Sequence, residues 1–369
     1  MEKHLFESTF LGGLLLRNRF VRSATHEGLA DAEGLYTPAL ADLYARLAKD
    51  GVGLVISGHT YVSPEGKASV KQAAAKPEAV DLWRIATDVV HENGGKIALQ
   101  LAHGGCNASN PATAIGPSAF TIPKKGDTRE ATPAEIDGVV DAFARAAELA
   151  RKGGFDAVQI HAAHGYLISQ FLSPFYNKRA DEYGGPLENR MRLLLRVYDA
   201  VRKAVGDAFP VLIKINSEDF VAGGFSADEC ALVCRELEKR GLNGVELSGG
   251  LPASGSKLSP VRTVNPASAE EKSYYEDAAK RIKAQLSVPV ILVGGIRYPE
   301  TAERLLREDA CDFVSLSRPL ISEPDLIRRW ELEDAFRARC ITCNACFRPI
   351  VTGLGFGCPK FNRKGLLHA

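Results

Sequence analysis

Eight short apolar runs rich in β-branched residues recur along this chain, and amphipathic stretches separate them. The runs are Arg19–Ala24, Gly53–Ser57, Lys96–Leu101, Asp156–Ile160, Val211–Ile215, Gly244–Leu247, Val288–Val293 and Asp312–Leu316. Among the intervening stretches, Pro133–Lys152, Glu188–Val205, Ala227–Arg240 and Glu271–Gln285 carry apolar residues at helical spacing. Strands that alternate with helices pair in parallel through right-handed crossovers. Eight such units predict an α/β fold, a TIM (β/α)8 barrel, rather than a doubly wound sheet. A length of 369 residues is ample for one such barrel. The barrel is placed at residues 1–335, with a cysteine-rich C-terminal extension over 336–369 packed on it.

Two segments stand outside the repeat. Leu5–Leu16 alternates around Gly12-Gly13 and reads as an N-terminal hairpin closing the barrel floor. His103–Thr132 is rich in Gly, Pro, Ser and Thr without periodicity; as a long loop leaving the third strand it is expected to border the active site.

Charge and cysteine usage narrow the partners. Lys and Arg number 46 against 45 Asp and Glu, a net charge of +1, so no basic excess points to nucleic acid or an anionic membrane. No run reaches the roughly 18 apolar residues of a membrane helix. Cys106, Cys230, Cys234 and Cys311 are dispersed, whereas Cys340, Cys343, Cys346 and Cys358 cluster. Dispersed thiols in a large chain fit a reducing cytoplasm, and the cluster then points to metal rather than disulfides.

Polar groups gather where a barrel keeps its chemistry, at the carboxyl ends of the strands. Directly after Asp156–Ile160 come His161-Ala-Ala-His164-Gly-Tyr166. A lone histidine is more often a satisfied core residue. Two of them three apart, followed by a tyrosine at a strand end, make two donors for an oxygen and a phenol to deliver a proton. Thr25 and His26 follow the first run, Gly58 and His59 the second, and Gln100 and His103 close the third. Gly294-Gly295 follows the seventh run and Ser317-Arg318 the eighth, the loops where barrels bind phosphate. Lys214 sits inside an apolar run, where an unpaired charge is costly. It requires an electron-rich partner, either an anionic cofactor ring or a neighbouring carboxylate such as Glu218 or Asp219. No G-x-G-x-x-G fingerprint lies between a strand and a helix, so a nicotinamide cofactor would visit the same site.

At these residues the chain resembles the old yellow enzyme family of FMN-dependent NADH:flavin oxidoreductases. Its likeness is greatest to the branch containing the flavin half of bacterial 2,4-dienoyl-CoA reductase and trimethylamine dehydrogenase. The resemblance runs from Asn18-Arg19 to Ser317-Arg318-Pro319 and is most specific in HAAHGYLISQFLSPFYNKRADEYGG, residues 161–185. It implies an ene-reductase: NAD(P)H reduces non-covalent FMN, which then reduces an α,β-unsaturated carbonyl compound. His161 and His164 are implied to hold the substrate oxygen and Tyr166 to protonate the adjacent carbon. Gln100 is implied to bond the flavin pyrimidine and Lys214 to stand near N1 and O2. Ser23, Ala24, Thr25 and Gly58 are implied to line the isoalloxazine, and Gly294, Gly295, Ser317 and Arg318 to cradle the phosphate. His26 falls where many relatives carry Thr or Cys, and Lys214 replaces an arginine, losing the bidentate fork.

Cys340-x2-Cys343-x2-Cys346-x11-Cys358 resembles the iron–sulfur run of the same branch, with two residues instead of three between its second and third cysteines. Its thiolates suit a [4Fe–4S] cluster or a zinc ion, and a metal-free tail is the third reading. The sequence ends eleven residues after Cys358 without a further FAD- or NAD-binding module. The expectation is therefore either a separate electron-transfer partner or direct reduction by NAD(P)H. An FMN and iron–sulfur electron-transfer subunit, or a dienoyl-CoA-type reductase with a partner, is the alternative function. A homo-oligomer is compatible with all of these. The loop Leu251–Pro266, with Ser254, Ser256, Lys257 and Arg262, is expected to shape substrate choice.

Overall fold

Strands buried on both faces need apolar residues without polar alternation, and all eight runs form strands in the computed structural model. It describes residues 3–122, 126–263, 272–332, 336–361 and 366–368. The strands are β1 (Phe20–Arg22), β2 (Leu54–Ile56), β3 (Lys96–Ala102), β4 (Ala157–Ala162), β5 (Val211–Asn216), β6 (Gly244–Ser248), β7 (Val290–Val293) and β8 (Phe313–Leu316). Each pairs in parallel with its successor, and β8 pairs with β1, which closes the barrel. β4 runs two residues past its expected end, so His161 belongs to the strand.

The outer layer comprises α1 (Pro38–Lys49), α2 (Val80–Glu92), α3 (Pro133–Lys152), α4 (Arg192–Val205), α5 (Ala227–Glu238), α6 (Glu276–Lys283), α7 (Pro299–Arg307) and α8 (Leu326–Glu331). α3 and α5 start at capping boxes, Thr132 with Glu135 and Ser226 with Glu229, which satisfy orphan N–H groups. The stretch Glu188–Val205 is divided at Met191 into a short turn, Leu187–Arg190, and α4. α6 is shorter than the expected Glu271–Gln285, and Glu271 lies outside the described residues.

The floor is sealed by the hairpin Thr9–Leu11 and Leu14–Leu16, turned by Gly12 and Gly13 at φ +53° and +91°. Its Leu11 and Leu16 pack on Val21, Leu54, Ala98, Ala157, Leu212, Ile291 and Phe313 from the strands. The segment His103–Thr132 differs from its expected form. It contains a small sheet of Ile115–Gly116, Phe120–Ile122 and Gly126–Glu130. Nor does any of its described residues line the cavity described below. It supports the site from outside, as Asn107 Nδ2 donates to the Gly165 carbonyl at 2.7 Å.

Residues beyond 335, itself outside the described set, run over the same end of the barrel. Ala338 N–H donates to the Arg297 carbonyl (2.8 Å), Arg318 to Asn344 Oδ1 (2.6 Å), and Asn344 Nδ2 to the Val261 carbonyl (2.6 Å). Those contacts tie the extension to the loops after β6, β7 and β8.

Candidate active site at the carboxyl ends of the strands

A cavity of about 550 Å³ opens there, within the range of a cofactor-sized pocket. One wall of it is set by the end of β4. His164 and Gly165 adopt left-handed backbone, φ +63° and +74°, which turns the chain sharply out of the strand. A left-handed histidine is strained, and it is held by its neighbours: His164 N–H donates to Asn216 Oδ1 (3.0 Å) and its Nε2 pairs with Ser248 Oγ at 2.7 Å. His161 Nδ1 accepts the Ala163 N–H at 3.3 Å, leaving Nε2–H as the donor of a neutral ring. The turn brings the His161 ring 4.8 Å from the Tyr166 ring and 5.3 Å from His164.

Electrostatics keep this trio uncharged. Burial, reinforced by His164 and Lys214, holds His161 well below the usual imidazole range; burial with Lys214 and His59 does the same to His164. Burial pushes the Tyr166 phenol up to about 12. The imidazoles are thus single donors and the phenol keeps its proton at neutral pH. His59 is likewise depressed by burial and by His26 and His161. Because these histidines bind protons more weakly folded than unfolded, they favour unfolding only once the unfolded chain starts to protonate. Stability is therefore expected to be level above pH 6.5 and to fall progressively below it. Thermal midpoints measured between pH 5 and 8 check this, and replacing His59 with Gln should shrink the acid loss.

Below the histidines the barrel axis is polar. Lys214 Nζ lies 3.0 Å from Glu246 Oε1, with the two side chains 4 % and 0 % exposed. Ser23 Oγ bridges them, at 2.6 Å from Lys214 and 2.7 Å from Glu246. Ser315 donates to the same carboxylate (2.9 Å), as does Gln159 (2.9 Å), whose own carbonyl accepts from Gln100 Nε2 (2.7 Å). Burial raises the Glu246 carboxyl, but Lys214, Ser23 and Gln159 outweigh it and hold the group ionised. The partner of Lys214 is thus neither Glu218 nor Asp219. Glu246 was not singled out in the sequence, although it faces Lys214 directly across the β5–β6 register.

Ser23, Ala24, Thr25, His26, Gln100 and Lys214 all line the cavity, as do Gly294, Gly295, Ser317 and Arg318. Gly58 does not: its N–H is bound to Glu27 Oε1 at 3.1 Å behind the wall, and His59 faces the cavity instead. A Cβ at Gly58 would lie 1.9 Å from Glu27 Oε2, against a carboxylate already fixed by Arg22 (2.8 Å) and Tyr44 (2.9 Å). Gly58→Ala is expected to cost on the order of 1–3 kcal/mol through this overpacking, read as a lower thermal midpoint.

Whether FMN fits can be judged from the lining. Gly294 and Gly295 have φ of +106° and +81°, and a Cβ on either would strike Tyr274 at 2.9 Å. Beside them Arg297 is buried in the wall with Nη1 unpartnered among the described residues. Backbone freed of side chains beside an unsatisfied guanidinium suits a phosphate. Lys214 and Gln100 add polar groups to the same lining. These features fit the cofactor, and Arg297 joins the expected set.

The C-terminal extension supplies one wall, through Thr342, Cys346, Phe347 and Ile350. Cys340 and Cys358 are buried and Cys343 is exposed; burial and the neighbouring Cys340 push the Cys346 thiol up to about 11. No three ligand-type side chains among the described residues stand in position to hold a metal ion. The four thiols as placed do not fit a preformed iron–sulfur or zinc centre. In the loop after β6, Pro252, Ser259, Pro260 and Val261 line the cavity, whereas Ser256 and Lys257 are exposed. Ser254 turns away to the Asp219 carbonyl and Arg262 is buried against Phe220, Tyr274 and Tyr275. Residues 264–266 of that loop lie outside the described set. Among the described residues no helix is long and apolar enough to cross a membrane.

Residues 4–334 match the NADH:flavin oxidoreductase / NADH oxidase family. The 4,4′-dithiodibutanoate disulfide reductase of Rhodococcus erythropolis is 33% identical over 378 residues, covering 95% of this chain and 93% of the relative. The old yellow enzyme homologue of Zymomonas mobilis superposes with a TM-score of 0.78 at 28% identity, over 90% of this chain and 93% of that one. A 2-naphthoyl-CoA reductase, solved with 2-naphthoyl-CoA, gives a TM-score of 0.87 at 26% identity over 94% of this chain. This chain spans only 55% of that protein, and about half of several other relatives. With the closed barrel, the polar axis and the histidine–tyrosine turn in place, the chain belongs to the NADH:flavin oxidoreductase family, that of the old yellow enzymes, and is an FMN-dependent NAD(P)H oxidoreductase.

Proposed function

We propose that the protein reduces the activated C=C bond of α,β-unsaturated carbonyl compounds at the expense of NAD(P)H. One observation carries this: two neutral imidazoles and a protonated phenol converge on one cavity wall. FMN, when bound, supplies the hydride chemistry, accepting from NAD(P)H and delivering to the substrate β-carbon. Gln100, Lys214, Gly294, Gly295, Arg297, Ser317 and Arg318 are the residues that would hold it. His161 donates Nε2–H to the substrate oxygen, and His164 does so once that oxygen displaces Ser248 from its Nε2. Both bonds strengthen as negative charge builds on the oxygen, so they favour the transition state over bound substrate. Tyr166 gives its proton to the α-carbon.

A second reading has one observation in its favour: Cys346, from the four-cysteine run, lines the cavity. There the reducing equivalents come from a partner protein docked at the extension, and the substrate is a thioester of the kind named for the 2-naphthoyl-CoA reductase. The two part in a single experiment. The FMN-loaded protein is reduced anaerobically with NADH or NADPH and mixed with enones, nitroalkenes, dienoyl and aryl thioesters, and 4,4′-dithiodibutanoate. The proposal expects rapid reduction by a nicotinamide and fastest reoxidation by enones. Reoxidation by the disulfide or the thioesters alone would overturn the substrate assignment, and failure of both nicotinamides to reduce the flavin would favour the partner.

A further inference from the structure

Tyr166 has one hydrogen-bond partner for its hydroxyl among the described residues, and it is outside the histidine–tyrosine turn: His59 Nε2, at 3.3 Å. Resting on Tyr166 as the proton donor, we propose that His59 resupplies Tyr166 with its proton, drawing it from the side of the cavity occupied by His26.

The placement of His59 is over-determined for a side chain without a task. Its backbone is fixed before it by Gly58 N–H to Glu27, and at its own carbonyl by Gln72 Nε2 (3.1 Å). Thr60 and Tyr61, directly after it, pair with Leu101 and Ala102 of β3. The ring is thereby set between two partners. Its centroid lies 5.5 Å from that of Tyr166 on one side and 5.0 Å from that of His26 on the other. His26 is hydrogen-bonded in turn to the backbone of Val70, a residue 75% exposed. The Val70 carbonyl has no proton to give, so the exchangeable groups are the two adjoining imidazoles: His26, only half-buried, and His59, which contacts the phenol.

The need for such a line follows from burial. When Tyr166 delivers its proton, its O–H bond breaks, a C–H bond forms at the α-carbon, and the electron pair stays on Oη. A phenolate buried at this depth is costly, in keeping with the upward displacement of the phenol. His59 removes that cost if its Nε2–H passes to Oη as the phenolic proton leaves, while its other nitrogen takes a proton from the His26 side. The imidazole starts and ends neutral, as its burial requires, and only its tautomer changes. The net input is one proton from solvent for each α-carbon protonated, and no oxidant or reductant is consumed. Phenylalanine or glutamine at this position would keep the wall. Neither can change tautomer to pass a proton on.

The test uses the FMN-loaded protein and separates the two half-reactions by stopped flow. His59→Gln retains a hydrogen-bonding group toward Tyr166, and His59→Ala opens a space for free imidazole. The expected result is a fall of about tenfold or more in the ratio of enone reoxidation to NAD(P)H reduction in both variants, general acid steps being worth at least that much. Added imidazole should restore the His59→Ala variant. In mixtures of light and heavy water, the reoxidation rate of the unaltered protein should curve with deuterium fraction, because two protons move together, and that of His59→Gln should be linear. An unchanged ratio, a curvature that persists in His59→Gln, or absence of imidazole rescue overturns the inference. Loss in Tyr166→Phe without loss in the His59 variants overturns the His59 role alone; no loss in either overturns the Tyr166 assignment with it.

Discussion

Tyr166→Phe should slow reoxidation of the reduced flavin by an enone by roughly 10²- to 10⁴-fold, the usual worth of a positioned general acid. The argument is geometric and electrostatic at once. The phenol is the one acid on the reactive wall: His161, His164 and His59 are all held neutral by burial, so none is a competing strong acid near pH 7. With its own value near 12, Tyr166 stays protonated across the accessible range, and the step it serves should be level from about pH 7 to 10. The variant removes one oxygen and leaves the ring that packs on His161, so stability should change little. Stopped-flow traces of each half-reaction check the claim; equal losses in NAD(P)H reduction and enone reoxidation would remove Tyr166 from the donor role.

The other large effect is structural. Breaking the Lys214–Glu246 pair on one side only, as in Glu246→Leu or Lys214→Met, should cost about 3–5 kcal/mol because the surviving charge stays buried without its counter-charge. For a chain of 369 residues that corresponds to a fall of about 4–6 °C in thermal midpoint. Glu246→Leu additionally strands Ser23, Ser315 and Gln159, whose donors all converge on the carboxylate. The double variant Lys214→Met/Glu246→Leu should recover much of the loss, since no lone charge then remains. Calorimetry of the cofactor-free proteins is the direct measurement, and a double variant as unstable as the worse single one would contradict it.

How far the sequence could be read depended on what each residue answers to. Strand runs answer to local apolar patterning, so the eight strands were legible to within a residue or two. Glu246 was not, because its meaning lies in the strand beside it: a glutamate within Gly244–Leu247 is odd only once Lys214 is seen at the same level of β5. Both are mid-strand charges in apolar runs, and pairing them by register rather than by nearness in sequence would have found the contact. Gly58 and His59 lie in the turn after β2, and which of the two faces the cavity follows from the hydrogen bond of Gly58 to Glu27. The small sheet within His103–Thr132 escaped because its strands, Ile115–Gly116, Phe120–Ile122 and Gly126–Glu130, are too short for period-two alternation to stand out.

Closure through β8 and β1 also dictates when this enzyme comes into being. Phe20 pairs with Val314, roughly 290 residues later in the chain. At ribosomal rates of about 5–20 residues per second, the first strand waits on the order of 15–60 s for its second neighbour. During that interval an open parallel sheet exposes an unpaired edge, the situation in which chains associate wrongly. Ser317 and Arg318 emerge roughly 290 residues after Ser23 and His26. The cofactor pocket thus has no complete form on a nascent chain, and FMN can stabilise the barrel only after it has closed. Yield of the folded protein should accordingly respond to chaperones acting during synthesis more than to the flavin supply at that stage.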